Sequence, residues 1–454
     1  MNNQSKKMEL LGSASIPKAL LSMGIPTMIG MLVNAFYNLV DAYFVGGLGE
    51  SQMGAISVVY PLGQVVVGLG LLFGNGAASY ISRLLGRGDK ENANKVASTA
   101  LYSSVSVGAV IIIISMVFLH PILKLLGATD SILPFAATYA SIYIVSCIFN
   151  VFNVTMNNLV TSEGAAKTTM CALLTGAVLN IALDPLFIYV FDLGVAGAAI
   201  ATAISQVVST FVYLTSIFRK KSVFHFRVKD CTYTKENMSE IFKIGIPTLV
   251  FQILTSVSIS LINNAAGDYG DSAIAGMGVV TRLISMGSLS VFGFIKGFQP
   301  IAGYSYGAKK FNRLREAIKT SILWSTVFCV IFGVILALFP AAIVSRFTKG
   351  DAEMIRIGAA SLRANGISIM LFGFYTVYSS LFLALGKGRE GFILGACRQG
   401  ICFIPVILLL PIVWGLNGIM YAQPIADVLS AVITVFMAIP LHKKLNEMQN
   451  EVVY

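Results

Sequence analysis

Four polar side chains in two apolar stretches have the types and spacing to bind a small cation or a proton. Asp41 lies in the run Asn-Leu-Val-Asp-Ala-Tyr, and Tyr37 precedes it by four residues, which is the same face of a helix. Asn180 and Asp184 are also four residues apart, and Pro185 follows directly. Because proline has no N–H, it blocks one intrahelical hydrogen bond and leaves a carbonyl oxygen free for a cation or a water.

The chemistry favoured by these groups is ion binding and not catalysis. Carboxylates with amide, hydroxyl and carbonyl oxygens bind hard cations and also form proton relays. Burial favours the neutral carboxyl and a bound cation favours the ionised one, so a single site can exchange protons with the medium. The alternative is structural, with Asp184 satisfying the backbone of a kinked helix and Asp41 near an interface. No nucleophile, metal-ligand cluster or acid–base pair is evident, so the sequence does not predict an enzyme.

The elements that position these residues are membrane-spanning helices. Of 454 residues, 56% are hydrophobic and 12% are charged, a balance typical of integral membrane proteins. A span needs roughly 20 apolar residues, and the chain supplies such stretches repeatedly. We therefore predict an all-α integral membrane protein with twelve spans, at roughly 16–45, 52–82, 96–119, 133–160, 167–190, 194–218, 240–265, 272–304, 317–341, 354–384, 391–412 and 415–440.

An internal repeat divides the twelve spans into two halves. Gly24-Ile-Pro-Thr27 recurs as Gly245-Ile-Pro-Thr248, a shift of 245 − 24 = 221 residues, and the same shift carries Asp130 onto Asp351. We predict two six-span lobes, 1–221 and 222–454, with a cytoplasmic linker at about 219–240. Because six is even, the lobes have the same orientation, with pseudo-two-fold symmetry about the membrane normal. This arrangement is typical of V-shaped transporters that bind substrate between the halves and work by alternating access.

The net charge of +11 is a topology signal and does not indicate nucleic-acid binding. Lys and Arg are concentrated in the loops after spans 2, 6 and 8, which the positive-inside rule places in the cytoplasm together with both termini. We expect a monomer in the lipid bilayer of the cell membrane.

The intramembrane charges noted in the second lobe are bases: Arg282, Lys296, Arg363 and Arg398. For Lys296 and Arg398 the proximity of a cytoplasmic end favours snorkelling. Arg363 is predicted to be deeper and either to pair with an acid or to face the cavity.

Three motifs of the chain resemble the multidrug and toxic compound extrusion (MATE) family: Gly-Ile-Pro with Asp41 in span 1, the Asn180 to Pro185 run, and Gln299-Pro300 followed by Gly-Tyr-Ser-Tyr-Gly-Ala. The resemblance implies a two-lobe exporter that exchanges H+ or Na+ for small organic, commonly cationic compounds, with no other cofactor. It also implies a cation site at Asp41, Asn180, Asp184 and Thr202, with Tyr37, Tyr139 and Asn157 nearby. If Na+ is the coupling ion, the first four residues would be its ligands.

The substrate cavity is expected between the lobes, lined by aromatic, Met and Asn/Gln side chains. The candidate substrate-binding residues are Gln52, Asn153, Gln252, Lys296, Gln299, Arg363 and Tyr375. Lys296 replaces the Gln or Glu that relatives often carry, and a base there does not favour a purely cationic ligand. The alternative function is a lipid-linked flippase of the same superfamily, which would use the bases of the second lobe to bind a phosphate headgroup.

Overall fold

The computed structural model describes residues 3–48, 50–126, 128–219, 222–347 and 351–453, and within these ranges the chain is helical without a strand. The α-helices are α1 Asn3–Gly12, α2 Ile16–Gly46, α3 Glu50–Gly86, α4 Lys90–Val117, α5 Leu119–Leu125, α6 Leu133–Ser162, α7 Ala166–Pro185, α8 Gly194–Phe218, α9 Lys235–Gly267, α10 Asp271–Gly307, α11 Phe311–Leu338, α12 Pro340–Val344, α13 Ala352–Ser368, α14 Phe372–Ala384, α15 Gly388–Ala396, α16 Phe403–Trp414 and α17 Leu416–Val453. Two π-helical segments occur, Leu186–Val190 and Cys397–Ile401.

In the described part of the chain, twelve stretches are long and apolar enough to cross a bilayer, as predicted. Nine of these spans are single helices. The fifth is α7 with the π-helical segment after it, the tenth is α13 with α14, and the eleventh is α15 with α16, joined by the second π-helical segment. The chain is therefore a multi-pass membrane protein. We number the spans 1 to 12 in chain order.

Several helices are longer than their predicted spans. Span 3 begins at Lys90, where the prediction gave 96, and span 12 continues far beyond 440. Hydropathy detects only the part of a helix that lies in lipid, whereas backbone hydrogen bonding and capping carry the helix into water.

The linker between the lobes ends earlier than predicted. Helix α9 begins at Lys235 because Thr234 caps it, its hydroxyl accepting a hydrogen bond from the backbone N–H of Asn237. The described linker therefore covers 222–234, where 240 was the expected end. Residues 220 and 221, and with them the predicted lobe boundary, lie outside the described residues, so that boundary stays a prediction.

The lobes meet at one end through contacts that occur in symmetry-related pairs. A Cβ on Gly86 would collide with the carbonyl oxygen of Tyr304, and a Cβ on Gly307 would collide with that of Arg83. The two contacts are related by 307 − 86 = 304 − 83 = 221 residues. Only glycine permits so close an approach of two backbones, so the internal repeat is present in the packing as well as in the sequence.

We call this meeting point, at the end of spans 2 and 8, the closed end. Two clusters of buried apolar residues contain members of both lobes, whereas each lobe has a further cluster of its own at the opposite ends of its helices. The side chain of Arg83 forms an ion pair with Glu240 across the lobes at 2.6 Å. The lobes therefore diverge away from the closed end and form a V.

Helix α1 also connects the lobes at the closed end. Lys7 forms a 2.6 Å ion pair with the buried Glu163 of the first lobe. From the second lobe, Lys310 Nζ donates to the carbonyl of Gly12 at 2.8 Å, and Arg313 Nε donates to that of Leu11 at 3.1 Å.

Candidate functional site

A buried polar group within the first lobe contains the residues around which the cation site was predicted. Asp184 in span 5 is fully buried, and its Oδ1 accepts a hydrogen bond from Asn180 Nδ2 at 3.3 Å. The same amide donates to Thr202 Oγ1 of span 6 at 3.5 Å. Asp41 of span 1 faces Asp184 directly, side chain to side chain. Three spans thus bring together all four predicted ligands.

Two tyrosines complete this group. The Tyr37 hydroxyl lies near the carboxyl groups of Asp41 and Asp184. Tyr139 of span 4 is close to Asp41 and Tyr37, and its ring stacks on that of Tyr143 with centroids 5.5 Å apart. Six of the seven predicted residues therefore lie together.

The group contains more acceptor oxygens than donors. Asp41 Oδ1, Asn180 Oδ1 and Asp184 Oδ2 are buried and accept no hydrogen bond from the described residues. Each such oxygen costs about 1–3 kcal/mol if it stays unsatisfied, and two facing carboxyls cannot both ionise without a compensating positive charge. The oxygen set fits a bound Na+ or a shared proton. Among the described residues, no three His, Cys, Asp or Glu side chains form a metal-binding group.

The end of span 5 has an irregular helix beside this group. The α-helix stops at Pro185 and the π-helical segment Leu186–Val190 follows. Proline cannot donate to the carbonyl one turn earlier, and a π-helical turn accommodates the resulting break. The irregularity predicted from Pro185 is thus present directly after Asp184.

Asn157 does not belong to this group. It lies 157 − 139 = 18 residues after Tyr139 on the same helix, a rise of roughly 27 Å. Its Oδ1 instead accepts a hydrogen bond from Lys296 Nζ of the second lobe. The structure therefore moves Asn157 from the cation site to the contact between the lobes.

A cavity of about 550 Å³ lies between the lobes, mostly against spans 7, 8, 10, 11 and 12. Its volume suits a drug-sized molecule. The lining has the predicted character, with aromatic, Met and Asn/Gln side chains that include Tyr60, Phe251, Phe292, Phe403, Met31, Met277, Met420, Asn75, Asn158, Asn365, Gln399 and Gln423.

Four of the seven predicted substrate residues line this cavity: Gln252, Lys296, Gln299 and Tyr375. The other three do not. Gln52 Oε1 accepts from the backbone N–H of Val195 at 3.1 Å, and Asn153 Nδ2 donates to Gln206 within the first lobe. Arg363 of the tenth span is exposed and does not line the cavity.

A buried ion pair beside the cavity was not anticipated. Arg398 Nε donates to Asp427 Oδ1 at 2.8 Å, with both side chains about 5% exposed. The snorkelling interpretation of Arg398 was wrong, because a buried carboxylate partner holds the guanidinium inside the lobe. Sequence reasoning also missed Asp427, an acid in a lobe whose intramembrane charges were all taken to be basic. An Asp inside the apolar run of span 12 is the signal that identifies it.

The chain is similar to known transporters over nearly all its length. The MatE family model matches residues 26–186 and 247–409, which begin 247 − 26 = 221 residues apart. The chain is 31% identical over 437 residues to the multidrug export protein MepA of Staphylococcus aureus (strain MSSA476), with 96% of each chain covered. It is 32% identical over 433 residues to MepA of Staphylococcus saprophyticus, with 95% of each covered. A solved structure, described as the outward-facing conformation of a multidrug resistance MATE family transporter of the MOP superfamily, matches with a TM-score of 0.91 at 26% identity, covering 98% of this chain and 99% of that one.

Proposed function

The chain belongs to the MatE family of membrane transporters, and from that premise we propose that it exports organic drugs in exchange for H+ or Na+ by alternating access. It is a transporter and not an enzyme. The observation that carries the coupling proposal is the facing pair of Asp41 and Asp184, which together with Asn180 has three buried oxygens that accept no hydrogen bond from the described residues. The substrate would occupy the cavity between the lobes.

Span 1 supplies a physical link between this pair and the contact of the lobes. Its first half packs on span 8, where Thr27 Oγ1 donates to the carbonyl of Gly293 at 2.6 Å. Its second half carries Asp41. If the affinity of the ion at Asp41 differs between two arrangements of span 1, ion binding shifts the equilibrium between two arrangements of the lobes. The shift in free energy equals the difference between the two ion-binding free energies and cannot exceed it.

The proposal includes an orientation. Both termini and the closed end, with Arg83 and Lys310 beside it, would face the cytoplasm of the cell by the positive-inside rule. The V would then open to the outside, the state in which substrate is released and the coupling ion enters. We expect the monomer to be the functional unit, since each chain carries both lobes.

The test is drug efflux from proteoliposomes under separately imposed H+ and Na+ gradients. One of the two gradients should drive efflux, and Asp41→Asn should abolish the driven component. Asp130→Asn is the matched control, because Asp130 is an exposed aspartate in the loop before span 4. Full gradient-driven transport by Asp41→Asn would refute the coupling role, and failure of both gradients to drive efflux would refute antiport itself.

A lipid-linked flippase remains the second candidate, because two of the four bases that motivated it, Lys296 and Arg398, line the cavity. Such a protein would move a labelled lipid without an ion gradient and would not transport drugs. If the reconstituted protein shows both properties, the flippase would replace the antiporter as the proposed function.

A further inference from the structure

We propose that the cavity binds amphipathic molecules that carry an anionic group, a carboxylate or a phosphate, and that this group lies between Lys296 and Arg398. The inference rests on the proposed export function and deepens it, because it names the class of substrate for the same cavity.

The charge of the cavity lining has one sign. Among the described residues that line it, Lys296 and Arg398 are the charged ones and none is Asp or Glu. In an apolar cavity the positive charge of Lys296, which forms no ion pair among the described residues, attracts an anion and repels an organic cation more strongly than it would in water. The aromatic walls, with Phe251 and Phe292 among them, suit the apolar part of such a ligand.

Arg398 is held with donors available to a ligand. Its Nε is occupied by Asp427, and its guanidinium carbon lies 4.6 Å from the ring centroid of Phe372. The two terminal nitrogens make no hydrogen bond to the described residues, and Arg398 lines the cavity. A planar guanidinium fixed in this way matches the paired oxygens of a carboxylate or phosphate.

Asp427 orients Arg398, and both of its carboxylate oxygens accept hydrogen bonds within the protein. Its Oδ1 accepts from Arg398 Nε and from Gln423 Nε2 at 2.9 Å, and its Oδ2 accepts from Ser368 Oγ at 2.8 Å. It is also absent from the described lining of the cavity. Asp427 is therefore a positioning residue, and the group presented to the ligand is the guanidinium.

Lys296 has a positive charge that no carboxylate balances. Its ammonium donates to the neutral Asn157 and forms no ion pair among the described residues. Its counterpart in the first lobe is Asn75, since 296 − 75 = 221, and this neutral amide donates to Thr248 Oγ1 at 2.8 Å. The repeat therefore folds with a neutral residue at this position, and the charge in the second lobe points to a ligand.

Equilibrium binding of two dyes that differ in one charge tests the inference. The dyes are a rhodamine with a free carboxylate and its methyl ester, measured by fluorescence anisotropy on the full-length protein in micelles, without an ion gradient. One charge-assisted hydrogen bond predicts that the carboxylate dye binds about tenfold more tightly or better. Lys296→Asn should remove about tenfold of this preference, and Lys296→Arg should retain most of it.

Two further variants separate ligand binding from folding. Because both dyes are measured on the same sample, a loss of folded protein cancels in the ratio of their dissociation constants. Lys95→Gln, which changes a lysine of the first lobe far from the cavity, should leave the ratio unchanged. The double variant Arg398→Gln with Asp427→Asn should lower it. Equal binding of both dyes by the wild type, or an unchanged ratio in both Lys296→Asn and the double variant, would overturn the inference.

A competing lipid distinguishes the two sources of such an anion. Displacement of the carboxylate dye by phosphatidylglycerol in the micelle would identify a lipid phosphate as the group bound, whereas resistance to it would identify a soluble amphiphile. Failure of gradient-driven efflux with the dye preference intact would refute the antiport proposal and leave this inference standing.

Discussion

Removal of the carboxylate from the ion pair of Arg398 and Asp427 should destabilise the protein strongly. With both side chains about 5% exposed, Asp427→Asn leaves a guanidinium in a buried site without its counter-ion. Loss of one partner of a buried pair costs about 3–5 kcal/mol, whereas replacement of both by apolar residues is often neutral. We therefore expect Asp427→Asn to lose about 3–5 kcal/mol of unfolding free energy, and Arg398→Met with Asp427→Leu to recover most of it.

The assay is equilibrium unfolding in mixed micelles, followed by circular dichroism, on Asp427→Asn, on the single variants Arg398→Met and Asp427→Leu, and on the double variant that combines these two. Glu353→Gln is the matched control, because its ion pair with Arg356 lies in the same lobe but is 55% and 65% exposed, and we expect no measurable change. If Asp427→Asn were no less stable than this control, or if the double variant lost the sum of the single losses, the reasoning from burial would be refuted.

Three more predictions concern the closed end and a helix cap. Gly307→Ala should cost about 1–3 kcal/mol and weaken the closed end, because its Cβ would meet the backbone of Arg83; unfolding and cross-linking across the lobes would measure this. Glu163→Gln should weaken the attachment of α1 to the first lobe by removing the charge from the carboxylate that pairs with Lys7, and hydrogen exchange of α1 should rise. Hydrogen bonds to its carboxylate lower the pKa of Asp351. The ionised carboxylate therefore stabilises the folded protein at neutral pH, and this stabilisation is lost as the pH falls below 3.8. Melting curves of the wild type and of Asp351→Asn should converge at that low pH.

Much of the fold could be predicted because lipid allows few alternatives. A chain segment in hydrocarbon must satisfy its own backbone, so apolar runs become helices, and the 221-residue shift then divides them into lobes. The ends of helices are less predictable. In water the helix continues or stops according to caps such as Thr234, which hydropathy does not detect.

The candidate site also has a part that the sequence predicts and a part that it does not. Asp41 and Asp184 could be found from the sequence because an acid in an apolar run is costly whichever side of the helix it lies on. The partnership of Arg398 with Asp427 could not, because the residues are 29 positions apart on different spans and only the rotation of two packed helices brings them together. Asn157 lies apart for a related reason: a sequence match gives the residue, but the helix rise determines how far it stands from Tyr139.

The paired contacts of Gly86 and Gly307 have an evolutionary consequence. An interface in which each contact recurs with the partners exchanged is that of a symmetric homodimer, so the chain has the architecture of two parallel six-span subunits fused into one. In a homodimer every substitution occurs twice, and an acid gained by one subunit is gained by both. Fusion removes that constraint, and it allows one half to carry the Asp41 and Asp184 pair while the other carries Lys296 and Arg398.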